Sequence, residues 1–156
     1  MNASVVTGLF VLAGVVVGAL LNTFVAAVAA ELKGRRALKT TARIVGEEIG
    51  TNAAAITGMV DQRIPSSASA PLLFNAWEHY RHVLAERLSN QEWELLGEAI
   101  RSMRVIEMER HRSIAQRRPL DVFDPSDSGP YRGVAAIAQA AAEMLEHHAR
   151  RPPHAR

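Results

Sequence analysis

The sequence has no cysteine and few aromatic residues, and each shortage excludes a class of protein. Without cysteine the chain forms no disulfide and no thiolate-based catalytic or metal site. Two Trp, two Tyr and four Phe occur among 156 residues. Residues 44–149 hold ten basic and fifteen acidic side chains, and the basic excess lies at residues 31–43 and 150–156. An acidic middle with few stacking side chains does not fit a nucleic-acid-binding protein.

Charge is absent from the first thirty residues, which contain no Asp, Glu, Lys, Arg or His. About 20 apolar residues in a helix span the roughly 30 Å hydrocarbon layer of a bilayer. We therefore predict a transmembrane anchor over residues 1–30 and a place in the cell membrane. Lys33, Arg35, Arg36 and Lys39 follow the anchor directly. Because Lys and Arg beside a span stay cytoplasmic, we expect the N-terminus outside and the C-terminal domain in the cytoplasm.

The same four basic residues are candidates for contact with anionic lipid headgroups. The orientation signal by itself explains them equally well. A cleaved signal peptide is the alternative to an anchor, with Ala27-Val28-Ala29 as its cleavage site. However, the first residues include no basic side chain, and the apolar core is about twice the usual 7–15 residues. The sequence therefore favours an uncleaved anchor.

A row of small residues with one amide runs along the predicted anchor at intervals of four: Gly14, Gly18, Asn22, Ala26 and Ala30. Residues four apart lie on one face of a helix. Small residues let two membrane helices approach closely, and an Asn can donate a hydrogen bond across the pair. We therefore predict that these five residues associate helices in a homo-oligomer. The alternative is that Gly and Ala are simply frequent in membrane helices.

Hydrophobic periodicity in the rest of the chain predicts helices and almost no strand. The predicted fold is all-α, with one N-terminal transmembrane helix that continues into a small three- to four-helix cytoplasmic bundle. Within the bundle, helices are expected over residues 31–62, 72–88 and 90–116, and Ser89 with Glu92 matches a capping box. The predicted segments are the anchor (1–30), the bundle with its basic juxtamembrane start (31–116), a loop (117–130), an Ala-rich helix (131–148) and a basic disordered tail (149–156).

Apolar residues of the first bundle helix follow the alternating four- and three-residue spacing of a coiled coil. The possible oligomer seam consists of Val45, Ile49, Asn52 and Ile56. Asn52 in such a seam would set the register between two copies. The flanking positions include Gly46, Ala53, Ala55 and Val60 instead of the charges of a free two-stranded coil, which favours packing in a bundle. For Asn52 the alternative to setting the register is a local bond within one chain.

No motif with a catalytic or metal-binding mechanism occurs, so we predict no catalytic residue, no cofactor and no metal. The sequence contains neither Glu-x-x-His nor His-Glu-x-x-His, and neither Gly-x-Ser-x-Gly nor a phosphate-binding Gly-rich loop. Carboxylates and histidines at helical spacing are interpreted as solvated helix faces; they are Glu78, His82, Glu86, Glu107, His111, Glu143 and His147. Asp121, Asp124 and Asp127 are interpreted as turn and cap formers.

Two groups of residues resemble a family of uncharacterised single-pass bacterial membrane proteins, especially actinobacterial ones. These proteins have an N-terminal anchor, a helix with a Glu-Glu-Ile-x-x-Asn stretch and a later Trp-rich hairpin. The matching residues are Glu47, Glu48, Ile49 and Asn52, then Trp77, Tyr80, Arg81, Leu84 and Trp93. The resemblance covers residues 1–110 and implies a class of protein, but no activity and no site.

These features predict a non-enzymatic, membrane-anchored protein that self-associates and presents its cytoplasmic bundle to an unidentified protein partner, in a scaffold or accessory role. A membrane effector or toxin that perturbs the bilayer on oligomerising is the alternative. This alternative is supported by Asn22 in the predicted anchor. However, a single polar residue makes a poor lining for a pore.

Overall fold

The structure, a computed structural model, describes residues 3–65, 68–116 and 128–150, with side chains from Val16 onward. The described residues form four helices and no strand, which confirms the predicted all-α class. The helices are α1 (Ala3–Asp61), α2 (Asn75–Ala85), α3 (Asn90–Ala115) and α4 (Ser128–Arg150). The chain divides into two compact units, Met1–Ala37 and Leu38–Arg156.

The first unit is the N-terminal part of α1, and its apolar side chains are exposed. From Val16 to Leu32 the large hydrophobic side chains are between 43% and 68% exposed. The core helix of a globular protein buries such side chains, whereas a membrane helix presents them to lipid. By length and composition α1 is able to cross a membrane, and a signal sequence near the N-terminus satisfies the same two criteria.

The second unit has one hydrophobic core to which all four helices contribute. The α1 residues at its centre recur at steps of four and three, as expected for one face of a helix. Trp77 and Leu84 enter from α2, and the Trp77 ring lies 5.5 Å from the Trp93 ring of α3. The buried members of the core with the least exposure are Ala42, Val45, Ile49, Ile56, Leu84, Leu96, Ala99, Met103, Ala138, Ala141 and Leu145.

Helices α1 and α4 approach each other closely where both carry small residues. A Cβ atom added at Gly46 would lie 3.3 Å from the Leu145 Cβ and 3.6 Å from the Ala142 carbonyl oxygen. At Gly50 it would lie 3.7 Å from the Ala142 Cβ. Glycine disfavours a helix by about 1 kcal/mol relative to alanine. These two glycines are nevertheless compatible with the fold, because they leave space for α4.

The end of α1 has the hydrogen bonds of a Schellman motif. The Ile64 N–H donates to the Met59 carbonyl at 2.9 Å, and the Arg63 N–H donates to the Val60 carbonyl at 3.3 Å. Arg63 has a φ of 53°, the left-handed conformation that this motif requires and that glycine usually provides. The helix therefore ends at Asp61, one residue before the predicted end.

Helix α2 is shorter than predicted at both ends, spanning Asn75–Ala85 instead of 72–88. At its start the backbone N–H groups of Leu72 and Leu73 donate to side chains of other helices, not to carbonyls of a helical turn. Helix α3 begins as predicted, with both hydrogen bonds of the Ser89–Glu92 capping box. Helix α4 starts at Ser128, three residues earlier than predicted, and extends two residues further, to Arg150.

Candidate functional site

The predicted helix-association residues lie on α1, and those with described side chains are exposed. Gly18, Asn22, Ala26 and Ala30 are all exposed, and an added Cβ at Gly18 would have no neighbour within 4 Å. Gly14 lies in the helical backbone, before the first described side chain. The Asn22 amide makes no hydrogen bond within the described part of the chain, whereas the neighbouring Thr23 hydroxyl donates to the Ala19 carbonyl. An exposed amide in an apolar helix is available for a hydrogen bond to a second membrane helix.

The residues of the possible oligomer seam are buried inside the chain. Val45, Ile49 and Ile56 are 0% exposed, and Asn52 is 2% exposed. Contact with a second copy would require these side chains at the surface, but the helices of the same chain cover them here. The intrachain alternative accounts for their positions, and Asn52 is bonded locally.

Asn52 holds the backbone of the segment that leads into α2. Its side-chain amide nitrogen donates to the Leu73 carbonyl at 2.7 Å, and its side-chain oxygen accepts from the Leu73 N–H at 2.9 Å. The backbone N–H and the backbone carbonyl of Leu73 are thus both hydrogen-bonded to the side chain of Asn52. A buried amide with both ends bonded fixes the position of its partner more strongly than an apolar contact does.

One turn earlier on α1, Glu48 caps the N-terminus of α2. Its carboxylate oxygens accept from the Ala76 and Trp77 N–H groups at 2.8 and 2.9 Å. Phe74, the N-cap residue, has no side-chain acceptor for these groups. A carboxylate at a helix N-terminus also interacts favourably with the helix dipole. Glu48 therefore does, from another helix, what Ser, Thr, Asp or Asn usually does at the N-cap.

A third side chain, Glu107 of α3, completes the attachment of this segment. It accepts from the Leu72 N–H at 3.1 Å and from the Arg110 guanidinium at 2.7 Å, and it pairs with His111 at 3.0 Å. Burial acts to raise the pKa of Glu107. The hydrogen bonds from Arg110 and Leu72, together with the charges of Arg110 and His111, outweigh burial, so the net pKa lies below the ordinary value of 4.5. We call Glu48, Asn52 and Glu107 the polar clamp.

A second polar contact joins α4 to the start of α3. The His148 Nε2 lies 2.8 Å from Glu92 Oε1, and the two side chains are 13% and 32% exposed. Glu92 also accepts from the Ser89 backbone N–H at 2.8 Å. Burial acts to raise the pKa of Glu92, but the hydrogen bonds from Ser89 and His148 together lower it below 4.5.

We expect the protein to lose stability as the pH falls below about 4.5, because Glu92 and Glu107 have lowered pKa values in the folded state. The unfolded chain then takes up protons at a higher pH than the folded chain, so acid favours unfolding. The contribution of these two carboxylates is fully present above their unfolded pKa. It is lost as the pH falls through their folded pKa.

Urea unfolding of the protein in detergent, at a series of pH values from 7 to 3 and with Trp fluorescence as the signal, measures this loss. The Glu92→Gln/Glu107→Gln variant should have a lower stability at pH 7 and a shallower decline with acid. A Glu94→Gln/Glu98→Gln variant is the control, because both of these α3 glutamates are exposed. Equal declines in all three proteins would contradict the assignment.

The carboxylates and histidines that the sequence placed on solvated helix faces are exposed, except for Glu107 of the polar clamp, whose side chain is only 14% exposed. Glu78 pairs with Arg104 of α3 and Arg81 of its own helix, and Glu143 accepts from Gln139. Among the residues that the structure describes, no three potential ligands could hold a metal ion. Asp121, Asp124 and Asp127 and the tail from residue 151 lie outside the described residues.

The predicted headgroup residues lie in the part of α1 that follows the charge-free stretch. Lys33, Arg35, Arg36 and Lys39 are all exposed. Arg35 pairs with Glu31 at 2.9 Å. The other three make no ion pair with any described residue.

The polar clamp is the feature that sequence reasoning missed. In the sequence, Glu48 and Asn52 are two polar residues four apart on an otherwise apolar face of the helix. What the sequence did not show is the backbone segment that they bind, because it lies 21 to 29 residues away. The missing N-cap side chain at Phe74 was the other signal.

Comparisons with protein-family models, with curated proteins and with solved structures found no match for this chain. The structure itself defines a class: an all-helical protein with one long, apolar N-terminal helix.

Proposed function

We propose that this protein is a single-pass membrane protein that self-associates through α1 and presents its helical bundle to a protein partner in the cytoplasm, in a scaffold or accessory role. The observation that carries the proposal is the exposure of the charge-free part of α1. The large apolar side chains from Val16 to Leu32 are between 43% and 68% exposed in the part of the chain that the structure describes. Lipid is the environment in which such a surface is stable.

The proposed self-association rests on which of the two candidate surfaces of α1, the seam or the stripe of small residues, is exposed. The seam of Val45, Ile49, Asn52 and Ile56 is buried by the chain's own helices, whereas Gly18, Asn22, Ala26 and Ala30 are exposed. Small residues and one amide on a lipid-facing helix are the features that favour helix pairing in membranes. The stripe is thus the better candidate of the two for contact with a second copy.

A role in assembly, not catalysis, is supported by the use of the polar residues in the second unit. The three residues of the polar clamp bind backbone groups, and Glu92 with His148 joins two helices. In the part of the chain with described side chains, no buried polar side-chain atom lacks a hydrogen-bond partner. These groups contribute to the positions of α2 and α4, and the exposed surfaces of the bundle are left for a partner.

Crosslinking in native membranes tests the proposal. We expect the wild-type protein to give a dimer or a higher species, and Gly14→Ile/Gly18→Ile to reduce that species at least several-fold, because a branched side chain separates the two backbones. Ala13→Ile/Ala27→Ile is the matched control, with the same added residue type on the opposite face of α1. Resistance to alkaline carbonate extraction shows whether each variant is integrated in the membrane.

A wild-type protein that is integrated but only monomeric would contradict self-association. A protein that carbonate extracts from the membrane would contradict the anchor. Equal losses of the crosslinked species in both double variants would contradict the assignment of the interface to the stripe.

A further inference from the structure

We infer that Lys33 and Arg36 bind the phosphate of an anionic phospholipid headgroup, an inference that rests on the proposed membrane anchor. The two residues follow the charge-free stretch by three and six positions. Both are exposed, and neither forms an ion pair with a described residue. They are therefore cations with free hydrogen-bond donors next to the segment proposed to lie in lipid.

The local pairing of charges separates these two residues from Arg35, which lies between them. Glu31 and Arg35 lie four apart on α1 and form an ion pair at 2.9 Å, with side chains 48% and 45% exposed. Each of these two charges is compensated by the other. The positive charge that remains in this unit after the charge-free stretch belongs to Lys33 and Arg36.

The spacing of Lys33 and Arg36 suits one phosphate group. Residues three apart on a helix are neighbours on its surface, with Cβ atoms about 5–6 Å apart. Arg offers a planar fork of N–H donors that matches a phosphate, and Lys offers a compact charge with three donors. An anionic lipid is favoured over a zwitterionic one because it lacks the cation that would repel both side chains.

The depth of the two residues also fits the headgroup layer. With a rise of 1.5 Å per residue, Lys33 and Arg36 lie about 5 and 9 Å along the helix from Ala30. The headgroup region on one side of a bilayer is about 5–8 Å thick. Long basic side chains can direct their charged ends toward this layer.

Arg43 provides a control, because it is exposed, forms no ion pair with a described residue and lies farther along the same helix. By the same rise it is about 20 Å from Ala30. That distance exceeds the headgroup layer by more than the Debye length of about 8 Å at physiological salt. Arg101 on α3 is likewise exposed and without an ion pair in the described residues.

The experiment reconstitutes the full-length protein in phosphatidylcholine vesicles that contain a minor fraction of phosphatidylglycerol. Electron spin resonance of spin-labelled forms of each lipid measures which of them is enriched next to the protein. For the wild type we expect phosphatidylglycerol to be preferred by several-fold at low salt, since each basic residue at the surface gives up to about a five-fold preference. The preference should decrease at high salt.

Lys33→Gln/Arg36→Gln should reduce the preference several-fold, and Lys39, which is also exposed, should account for the preference that remains. Arg43→Gln/Arg101→Gln removes the same number of charges and should retain the wild-type preference. Because both leaflets contain the probe lipid, the result does not depend on the orientation of the protein.

Equal preference in the wild type and in Lys33→Gln/Arg36→Gln would overturn the inference, and so would an equal loss in both double variants. If the wild type and all variants resist carbonate extraction in either of these cases, the anchor stands and only the headgroup site fails. If the wild type is extracted by carbonate, the anchor fails and the headgroup site fails with it.

Discussion

Replacing Asn52 with alanine should lower the free energy of unfolding by about 2–3 kcal/mol, because two hydrogen bonds are lost and a cavity is left. The Asn52 amide donates to the Leu73 carbonyl and accepts from the Leu73 N–H. Without it, Glu107 still accepts from the Leu72 N–H and Glu48 from the Ala76 and Trp77 N–H groups. The loss should be accompanied by increased hydrogen exchange of the Leu73 amide.

Asn52→Asp keeps the size of the side chain but removes its hydrogen-bond donor. It therefore distinguishes the contribution of the hydrogen bonds from that of packing. Aspartate retains an acceptor for the Leu73 N–H, but it places a carboxylate oxygen against the Leu73 carbonyl, so we expect a loss at least as large as that of Asn52→Ala at pH 7. Asn90→Ala is the matched control, because Asn90 is exposed at the start of α3. Its effect should stay within about 0.5 kcal/mol, as at most surface positions.

Urea unfolding of the detergent-solubilised full-length protein gives these free energies. Trp77 and Trp93 are the tryptophans of the chain and lie 5.5 Å apart in the core, so their fluorescence reports on the packing of α2 against α3. A loss below 0.5 kcal/mol for Asn52→Ala would show that the polar clamp contributes little to stability.

The second large effect is expected at the contact of α1 with α4. Gly46→Leu should lower the free energy of unfolding by about 3 kcal/mol, at the upper end of the usual cost of overpacking. Even the first atom of a side chain at Gly46 would lie 3.3 Å from the Leu145 Cβ and 3.6 Å from the Ala142 carbonyl oxygen. A leucine therefore has no space unless the two helices move apart.

Gly58→Leu is the matched control on the same helix. A Cβ added at Gly58 would have no neighbour within 4 Å, so leucine fits there without displacing another group. Because leucine favours a helix over glycine by about 0.8 kcal/mol, this variant should be slightly more stable than the wild type. Thermal unfolding followed by circular dichroism compares the two variants. Equal effects at both positions would contradict the close approach of α1 and α4.

The helical class and several helix boundaries were predictable because they depend on local chemistry. The capping box requires Ser89 and Glu92 at a spacing of three, and both of its hydrogen bonds are present. The end of α1 was placed within one residue. The start of α2 was not, because its first N–H groups bind Glu48, a residue of another helix. Helix propensity depends on neighbouring residues, so it does not detect a capping residue 28 or 29 positions away in the sequence.

The seam on α1 shows the limit of periodicity as a predictor. The spacing of Val45, Ile49, Asn52 and Ile56 identifies an apolar face, and those residues are buried. The same spacing serves a coiled coil between two chains and a helix packed within one chain. Only the tertiary structure shows what covers the face, because the covering residues lie on helices distant in sequence.

The sequence by itself determined the helical class and the presence of a charge-free N-terminal helix long enough to cross a membrane, because composition and hydrophobic period are properties of neighbouring residues. The tertiary structure decided the roles of Glu48, Asn52 and Gly46. Each of these roles depends on a partner in another segment: the backbone of Ala76 and Trp77, the backbone of Leu73, and the surface of α4. Such contacts form only when the chain folds, so no local pattern specifies them.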